Sequence, residues 1–353
     1  MNRSQRRAFL ARMTALGCGV FAGSRRAWGQ AAPPMVTDPV VDLMKPRTNE
    51  AIERGLRYLA GRQNDDGAFG LNDYRRNVAV IALSGMAFMA HGSTPGRGPF
   101  GRNVSRAVDY VVKHVQESGF IIATGFTSHG PMYGHGFATL FLAEAYGMTT
   151  DTSVREQLEK AVKLIINSQN RDGGWRYQPQ TTEADISVTI CQLMALRAAR
   201  NAGIYVPNET IELSVDYVKR SQNADGGFMY MLQGGPSEFA RSAAGVVALY
   251  SAGIYEGPEI EKGLDYLSQH LPTTDAVDRS QHYMYGHYYA VQAMWHAGGE
   301  FWRRWYPAIH DALLARQNKE EGYWQDLICP EYGTAMACMI LQMPNNYLPI
   351  FQR

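Results

Sequence analysis

The sequence predicts an all-α fold, an (α/α)6 toroid of six helical hairpin repeats, and three observations carry that prediction. The first is a returning phrase. It reads Gln169-Asn170-Arg171-Asp172-Gly173-Gly174-Trp175, and again Gln222-Asn223-Ala224-Asp225-Gly226-Gly227-Phe228 and Gln63-Asn64-Asp65-Asp66-Gly67-Ala68-Phe69. A looser copy starts at Gln317, and degenerate ones at Gln116 and Gln269. The second is the spacing: the six glutamines stand 53, 53, 53, 47 and 48 residues apart, a period that marks one supersecondary unit used six times. The third is that the stretches between markers alternate between two kinds of helix.

Helices running into the marker, at 49–63, 102–116, 153–169, 208–222, 258–269 and 302–317, carry charged faces with an apolar stripe such as Val154, Leu158, Val162 and Ile165. That pattern buries one face only and predicts an outer layer. The helices that follow, near 74–91, 133–146, 184–201, 238–251, 283–296 and 332–343, are rich in Ala, Gly, Ser and Met and hold few charges, as expected of helices enclosed on most sides. Between the two kinds, the glutamine amide is expected to satisfy carbonyls at the helix end. The Asp-Gly pair supplies a turn with φ > 0, and the aromatic folds back as an apolar plug.

The phrase Gln-x-x-Asp-Gly-Gly-Trp resembles the repeat of squalene and hopene cyclases, and related repeats build the β subunits of protein prenyltransferases. The resemblance spans 49–344 and implies a toroid whose central cavity takes an isoprenoid or lipid-like small molecule. It leaves the reaction open, because one fold hosts many functions.

The 353 residues carry 34 Lys and Arg against 33 Asp and Glu, so no basic field for nucleic acid is implied. At 45% hydrophobic residues, the length suffices for a large core, and the repeat favours one domain. A monomer is expected. Arg6-Arg7, a short apolar stretch and Ala27-Trp28-Gly29-Gln30-Ala31 read as a Tat-type export signal over 1–31, giving an exported, periplasmic or extracellular protein. Residues 32–48 read as a linker and 345–353 as a C-terminal tail. No apolar run approaches the ~18 residues needed to span a bilayer.

A second symmetry overlies the first. Met132-Tyr133-Gly134-His135 and Met284-Tyr285-Gly286-His287 are the same four letters in repeats 2 and 5; Asp73 with Arg76 in repeat 1 matches Glu238 with Arg241 in repeat 4; Asp185 in repeat 3 matches Glu331 in repeat 6. In a ring of six, repeats three apart lie opposite, so His135 and His287 are expected to face across the cavity, as are Asp185 and Glu331. Tyr133, Tyr285, Asp73, Arg76, Glu238, Arg241 and Glu331 are expected to line it.

Glu183-Ala184-Asp185-Ile186 opens the third inner helix. By resemblance to the Asp-x-Asp-Asp motif of class II terpene cyclases, Asp185 is the candidate proton donor and Glu183 its partner, with Ile186 where that motif has aspartate. The structural alternative is that Asp185 is a helix N-cap. No cofactor is expected. Zinc is the alternative, for Asp326, Cys329, His135 and His287 offer its ligand types without the family's Asp-x-Cys order. Two other functional readings stay open: a binding or interaction module without chemistry, and an (α/α)6 carbohydrate-active enzyme using Asp185 and Glu331 as acid and base.

Overall fold

The computed structural model describes residues 44–69, 74–125, 130–149, 151–274 and 282–352, all within one compact unit. The leader, with its twin arginine, and Asp73 lie outside the described residues. The described residues form twelve α-helices and no strand.

The outer helices are α1 (Pro46–Arg62), α3 (Gly101–Lys113), α5 (Thr152–Ser168), α7 (Asn208–Arg220), α9 (Pro258–Ser268) and α11 (Gly299–Arg316). The inner helices are α2 (Val78–Ala90), α4 (Pro131–Tyr146), α6 (Ile186–Asn201), α8 (Phe239–Ser251), α10 (Tyr283–Ala297) and α12 (Pro330–Leu341). The two layers differ in burial as their composition predicts. Helix α5 buries Val154, Leu158, Ala161, Val162 and Ile165 on one face, whereas α4 is buried at nearly every position from Met132 to Ala145. Helix α2 starts later than the sequence predicts, because the Asn77 side chain caps it by accepting from the Ala79 N–H at 2.9 Å.

Each inner helix packs on the next, and α12 packs on α2, so the ring closes. The marker glutamines stitch it. Gln169 Nε2 donates to Gly173 O in its own turn and to Thr210 O in the next outer helix, both at 2.9 Å. Gln222 reaches Gly226 and Glu259 in the same way. Thus the amide bridges repeats through spare carbonyl lone pairs, instead of serving the end of its own helix as the sequence reading expects. The plugs Phe69, Trp175, Phe228 and Trp324 are fully buried, and the indoles of Trp175 and Trp324 donate to Ile165 O and Leu313 O of their own outer helices at 2.7 and 2.8 Å.

The chain at three of these plugs, and at Ile121 in repeat 2, is pinned by one polar side chain of the inner helix. Trp175 N–H donates to Thr189 Oγ1 (3.1 Å), Phe228 N–H to Ser242 Oγ (2.9 Å), Trp324 N–H to Thr334 Oγ1 (3.0 Å) and Ile121 N–H to His135 Nδ1 (3.1 Å). These bonds account for polar groups on otherwise apolar helices, since a buried main-chain N–H without an acceptor is destabilising.

Candidate functional site at the mouth of the ring

The inner helices begin at one end of the ring, next to the exit stretches that follow the plugs. Two exits also complete the helix before them: Tyr177 O accepts from Met132 N–H at 3.0 Å, and Tyr230 O from Ile186 N–H at 3.1 Å. This register brings Arg176, Tyr177 and Tyr230 to the start of α6, where Asp185 stands.

Asp185 is fully buried and caps α6, its Oδ1 accepting from Val188 N–H at 2.9 Å. Its Oδ2 accepts from Arg176 Nη1, also at 2.9 Å. The same nitrogen donates to the Tyr230 hydroxyl at 2.8 Å, and the Tyr177 and Tyr230 hydroxyls share a hydrogen bond. The guanidinium carbon lies 4.4 Å from the Tyr177 ring centroid and 5.3 Å from that of Tyr230. Glu183 is exposed and reaches Arg176 Nε at 3.5 Å. Burial raises the Asp185 carboxyl to about 6, against the opposing pull of the Val188 N–H and Arg176. The structure therefore makes Asp185 both an N-cap and a carboxyl that exchanges its proton close to neutrality.

Tyr133 and Tyr285 come together from opposed repeats, edge to face with centroids 6.4 Å apart, and Tyr133 lies 6.0 Å from Tyr177. Tyr285 donates to Ser187 O at 2.9 Å. One helical turn deeper, Phe137 and Tyr288 meet at 6.3 Å and the Cys191 thiol lies 3.4 Å from the Tyr289 hydroxyl. Aromatic side chains thus floor the mouth. The far end of the axis is closed by the C-terminal turns: Phe351 packs 6.3 Å from Tyr288, and Ile350 N–H reaches Glu144 Oε2 at 3.4 Å.

The two histidines do not face each other across a cavity. His135 is fully buried with Nδ1 accepting from Ile121 N–H, so Nε2 carries the proton and donates to Ala161 O of the outer layer at 3.2 Å. Neither nitrogen is left for a ligand, and burial lowers this histidine to about 3. His287 packs among Phe239, Tyr283 and the outer-layer Trp305. His135 turns into the wall because its Nδ1 holds the exit chain at Ile121, a demand that a repeated Met-Tyr-Gly-His motif does not reveal.

Glu331 is buried and pairs with Arg62 at 3.3 Å, and Arg62 leans over the Tyr58 ring. Glu238 and Arg241 pair at 3.0 Å, and Arg241 also donates to Phe228 O and Pro236 O. Arg76 pairs with Asp66 at 3.1 Å and stands before α2 instead of on it, so it does not share the helical position of Arg241. Of the zinc candidates, Asp326 caps Ile328 N–H at 2.9 Å and the Cys329 thiol accepts from Tyr332 N–H at 3.4 Å. Among the described residues no three His, Cys, Asp or Glu side chains gather as a metal site would require. The sequence reading missed Arg176, Tyr177 and Tyr230. Their shared offset, one or two residues past a plug aromatic, is the signal that could have found them.

A toroid of paired helices with an acid, an arginine and tyrosines at one mouth defines the class of protein. The family described as the prenyltransferase alpha-alpha toroid domain matches residues 75–275, and the chain belongs to that family. It is 25% identical to a drimenyl diphosphate synthase of Streptomyces showdoensis over 182 residues, 52% of this chain and 32% of that protein. A drimenyl diphosphate synthase of Streptantibioticus cattleyicolor is 35% identical over 85 residues, 24% and 15% of the two chains. The chain thus matches a third or less of the length of these relatives. In fold it is similar to the type II terpene cyclase MstE from Scytonema, at a TM-score of 0.61 and 14% identity over 86% of this chain and 98% of that one. It is equally similar to the α-1,6-mannanase GH76A of Salegentibacter, at 0.61 and 8% over 84% and 98%. Identities this low speak to the fold alone.

Proposed function

We propose that the mouth of the toroid binds an isoprenoid or similarly lipid-like ligand over its tyrosine floor, and that Asp185 delivers a proton to an alkene of that ligand. One observation carries the reading: a fully buried carboxyl, raised to about 6, stands at an inner-helix start beside tyrosine rings whose faces suit a cation. The relatives named drimenyl diphosphate synthase agree with an isoprenoid ligand. Asp185 gives up its proton, Arg176 receives the resulting anion, and the floor excludes water from the cation that forms.

A second reading rests on the same side chain. Both Asp185 oxygens already accept hydrogen bonds, which suits a module that binds its ligand without transforming it. The carbohydrate-active alternative needs Glu331 as a partner acid, and that side chain is buried against Arg62. Export through the 1–31 leader belongs to the proposal; among the described residues no helix is long and apolar enough to cross a membrane.

The deciding experiment incubates the purified chain with farnesyl diphosphate, geranylgeranyl diphosphate and squalene and analyses extracts by gas chromatography and mass spectrometry. Cyclic products from the wild type that vanish in Asp185→Asn support catalysis. Saturable binding without consumption supports the binding module, and neither binding nor consumption ends the isoprenoid reading.

A further inference from the structure

We propose that Asp326 is the proton acceptor of this site, placed on the wall opposite Asp185 and taking from the ligand the proton that ends the reaction. The inference rests on the isoprenoid reading above and names a group that reading lacks.

Asp326 is placed by the repeat. Tyr177, Tyr230 and Asp326 each stand two residues past a buried aromatic, Trp175, Phe228 and Trp324, and each exit chain is pinned at that aromatic by an inner-helix hydroxyl. In repeats 3 and 4 the carbonyl at this position completes the start of the preceding inner helix. In repeat 6 the same position sets Asp326 within electrostatic reach of His282, the residue before α10. Asp326 packs at the start of α12, where a Cβ on Gly333 would stand 3.0 Å from its own Cβ, and repeats 3 and 6 are opposed in a ring of six.

Tyrosines of the floor link the two. Tyr332 is within the electrostatic reach of Asp326, and Tyr285 is within that of Tyr332, Tyr133 and Asp185.

The two carboxylates are prepared for different tasks. Asp185 has both oxygens bonded, one to an arginine that stabilises its anion after a proton leaves. Asp326 is half-buried, with Oδ1 accepting the Ile328 N–H and no lysine or arginine partner among the described residues. Burial raises its proton affinity, with the Ile328 N–H and His282 opposing. A carboxylate with no arginine bonded to it, unlike Asp185, is the better base in such surroundings.

The step balances without a cofactor. The Asp185 O–H bond breaks as the alkene π pair forms a new C–H bond, leaving a carbocation that further alkenes close into rings. The Asp326 carboxylate then takes a proton from the carbon next to the last cation, and that C–H pair becomes the product double bond. Asp185 ends as the anion and Asp326 as the acid, both exchange with water, and the ligand is isomerised without oxidation or reduction.

The test compares wild type, Asp185→Asn, Asp326→Asn and Asp326→Glu with the same three substrates in H2(18)O, with melting curves for each. Asp326→Asn keeps an oxygen for the Ile328 N–H and is expected to fold. It should consume substrate within about tenfold of wild type while its products gain 18O as alcohols or move the double bond, since a base's loss costs about 10²–10⁴ only in the step it serves. Asp326→Glu should restore an alkene product. Wild-type products from Asp326→Asn, or a folded Asp326→Asn that consumes nothing, overturn the acceptor role alone. Should Asp326→Asn fail to fold, Asp326→Ser takes its place, its hydroxyl accepting the Ile328 N–H, and wild-type products from that folded variant overturn the role. Absence of wild-type consumption, or full activity in Asp185→Asn, sinks the isoprenoid chemistry and this assignment together.

Discussion

The Gln317 side-chain amide donates to the main-chain carbonyl of Ala51 at 2.8 Å, joining the last outer helix to the first across 266 residues of sequence. It also donates to Gly322 O at 2.7 Å, so one side chain holds the turn of repeat 6 and the seam of the ring. The degenerate marker Gln269 reaches only Asp265 O of its own helix at 3.4 Å, exposed to water.

These glutamines therefore separate by substitution. Gln317→Ala removes two buried bonds and should destabilise the chain by about 2–3 kcal/mol, whereas Gln269→Ala should stay within about 0.5 kcal/mol of wild type. Urea unfolding of the two variants measures the difference. Equal effects would mean that the seam bond contributes nothing to closure.

A glycine pair gives the second prediction. Gly173 has φ +95°, and a Cβ there would stand 2.0 Å from the Leu213 carbonyl oxygen in the next repeat. Gly173→Ala thus meets both a strained backbone and a main-chain clash, and should lower stability by about 3 kcal/mol or more. Gly61, near the end of α1, meets nothing within 4 Å, and Gly61→Ala should raise stability by about 0.5 kcal/mol. Melting temperatures moving in opposite directions are the expected readout.

The contrast also explains what was legible in the sequence. Local demands leave local marks: a positive-φ turn needs Gly173, a plug needs Trp175, and a half-buried helix needs a stripe such as Val154 and Leu158, so repeat number and layer order could be read directly. The site depends on which repeats abut in space. The Asp185 pair with Arg176 spans nine residues, and the Tyr230 hydroxyl that completes it comes from the next repeat. Conversely, His135 carried a conspicuous motif, yet its nitrogens serve Ile121 and Ala161. A residue type announces what a side chain can do, but its partners are chosen by the ring.

Glu144 gives the third prediction. It lies beneath the C-terminal turn, buried, with Arg197 its nearby cation and Tyr288 its nearby titratable neighbour, and burial raises it to about 7. A folded-state value above the unfolded 4.5 means that the native state holds the proton more tightly. The contribution is full below 4.5 and is lost as pH rises to about 7, up to about 3 kcal/mol in all. Glu144→Gln keeps an acceptor for Ile350 N–H and should abolish this component, gaining on wild type at pH 7.5 relative to pH 4.5. Parallel stability curves for the two chains would show that Glu144 is solvated and the tail does not cover it. Phe351→Ala should cost about 3–5 kcal/mol, as for a large side chain in the core.

Asp185 and Arg176 give the fourth. The carboxyl is raised from 3.8 to about 6 by burial, so its contribution to stability is likewise full below 3.8 and lost as pH rises through about 6. Arg176 opposes that rise by favouring the anion. Arg176→Gln can still donate one neutral hydrogen bond but removes the charge, so the pH at which the loss is complete should move upward, by about one pH unit for an arginine whose side chain is 23% exposed. Asp185→Asn should erase the dependence between pH 4 and 6. It keeps an oxygen for the Val188 N–H, which limits the loss of the cap to about 1 kcal/mol. Urea unfolding at half-unit pH intervals in wild type and both variants separates the roles. A curve in Arg176→Gln that coincides with wild type would mean that the guanidinium does not hold the Asp185 anion, and the proton donor would then lack the group that receives its charge.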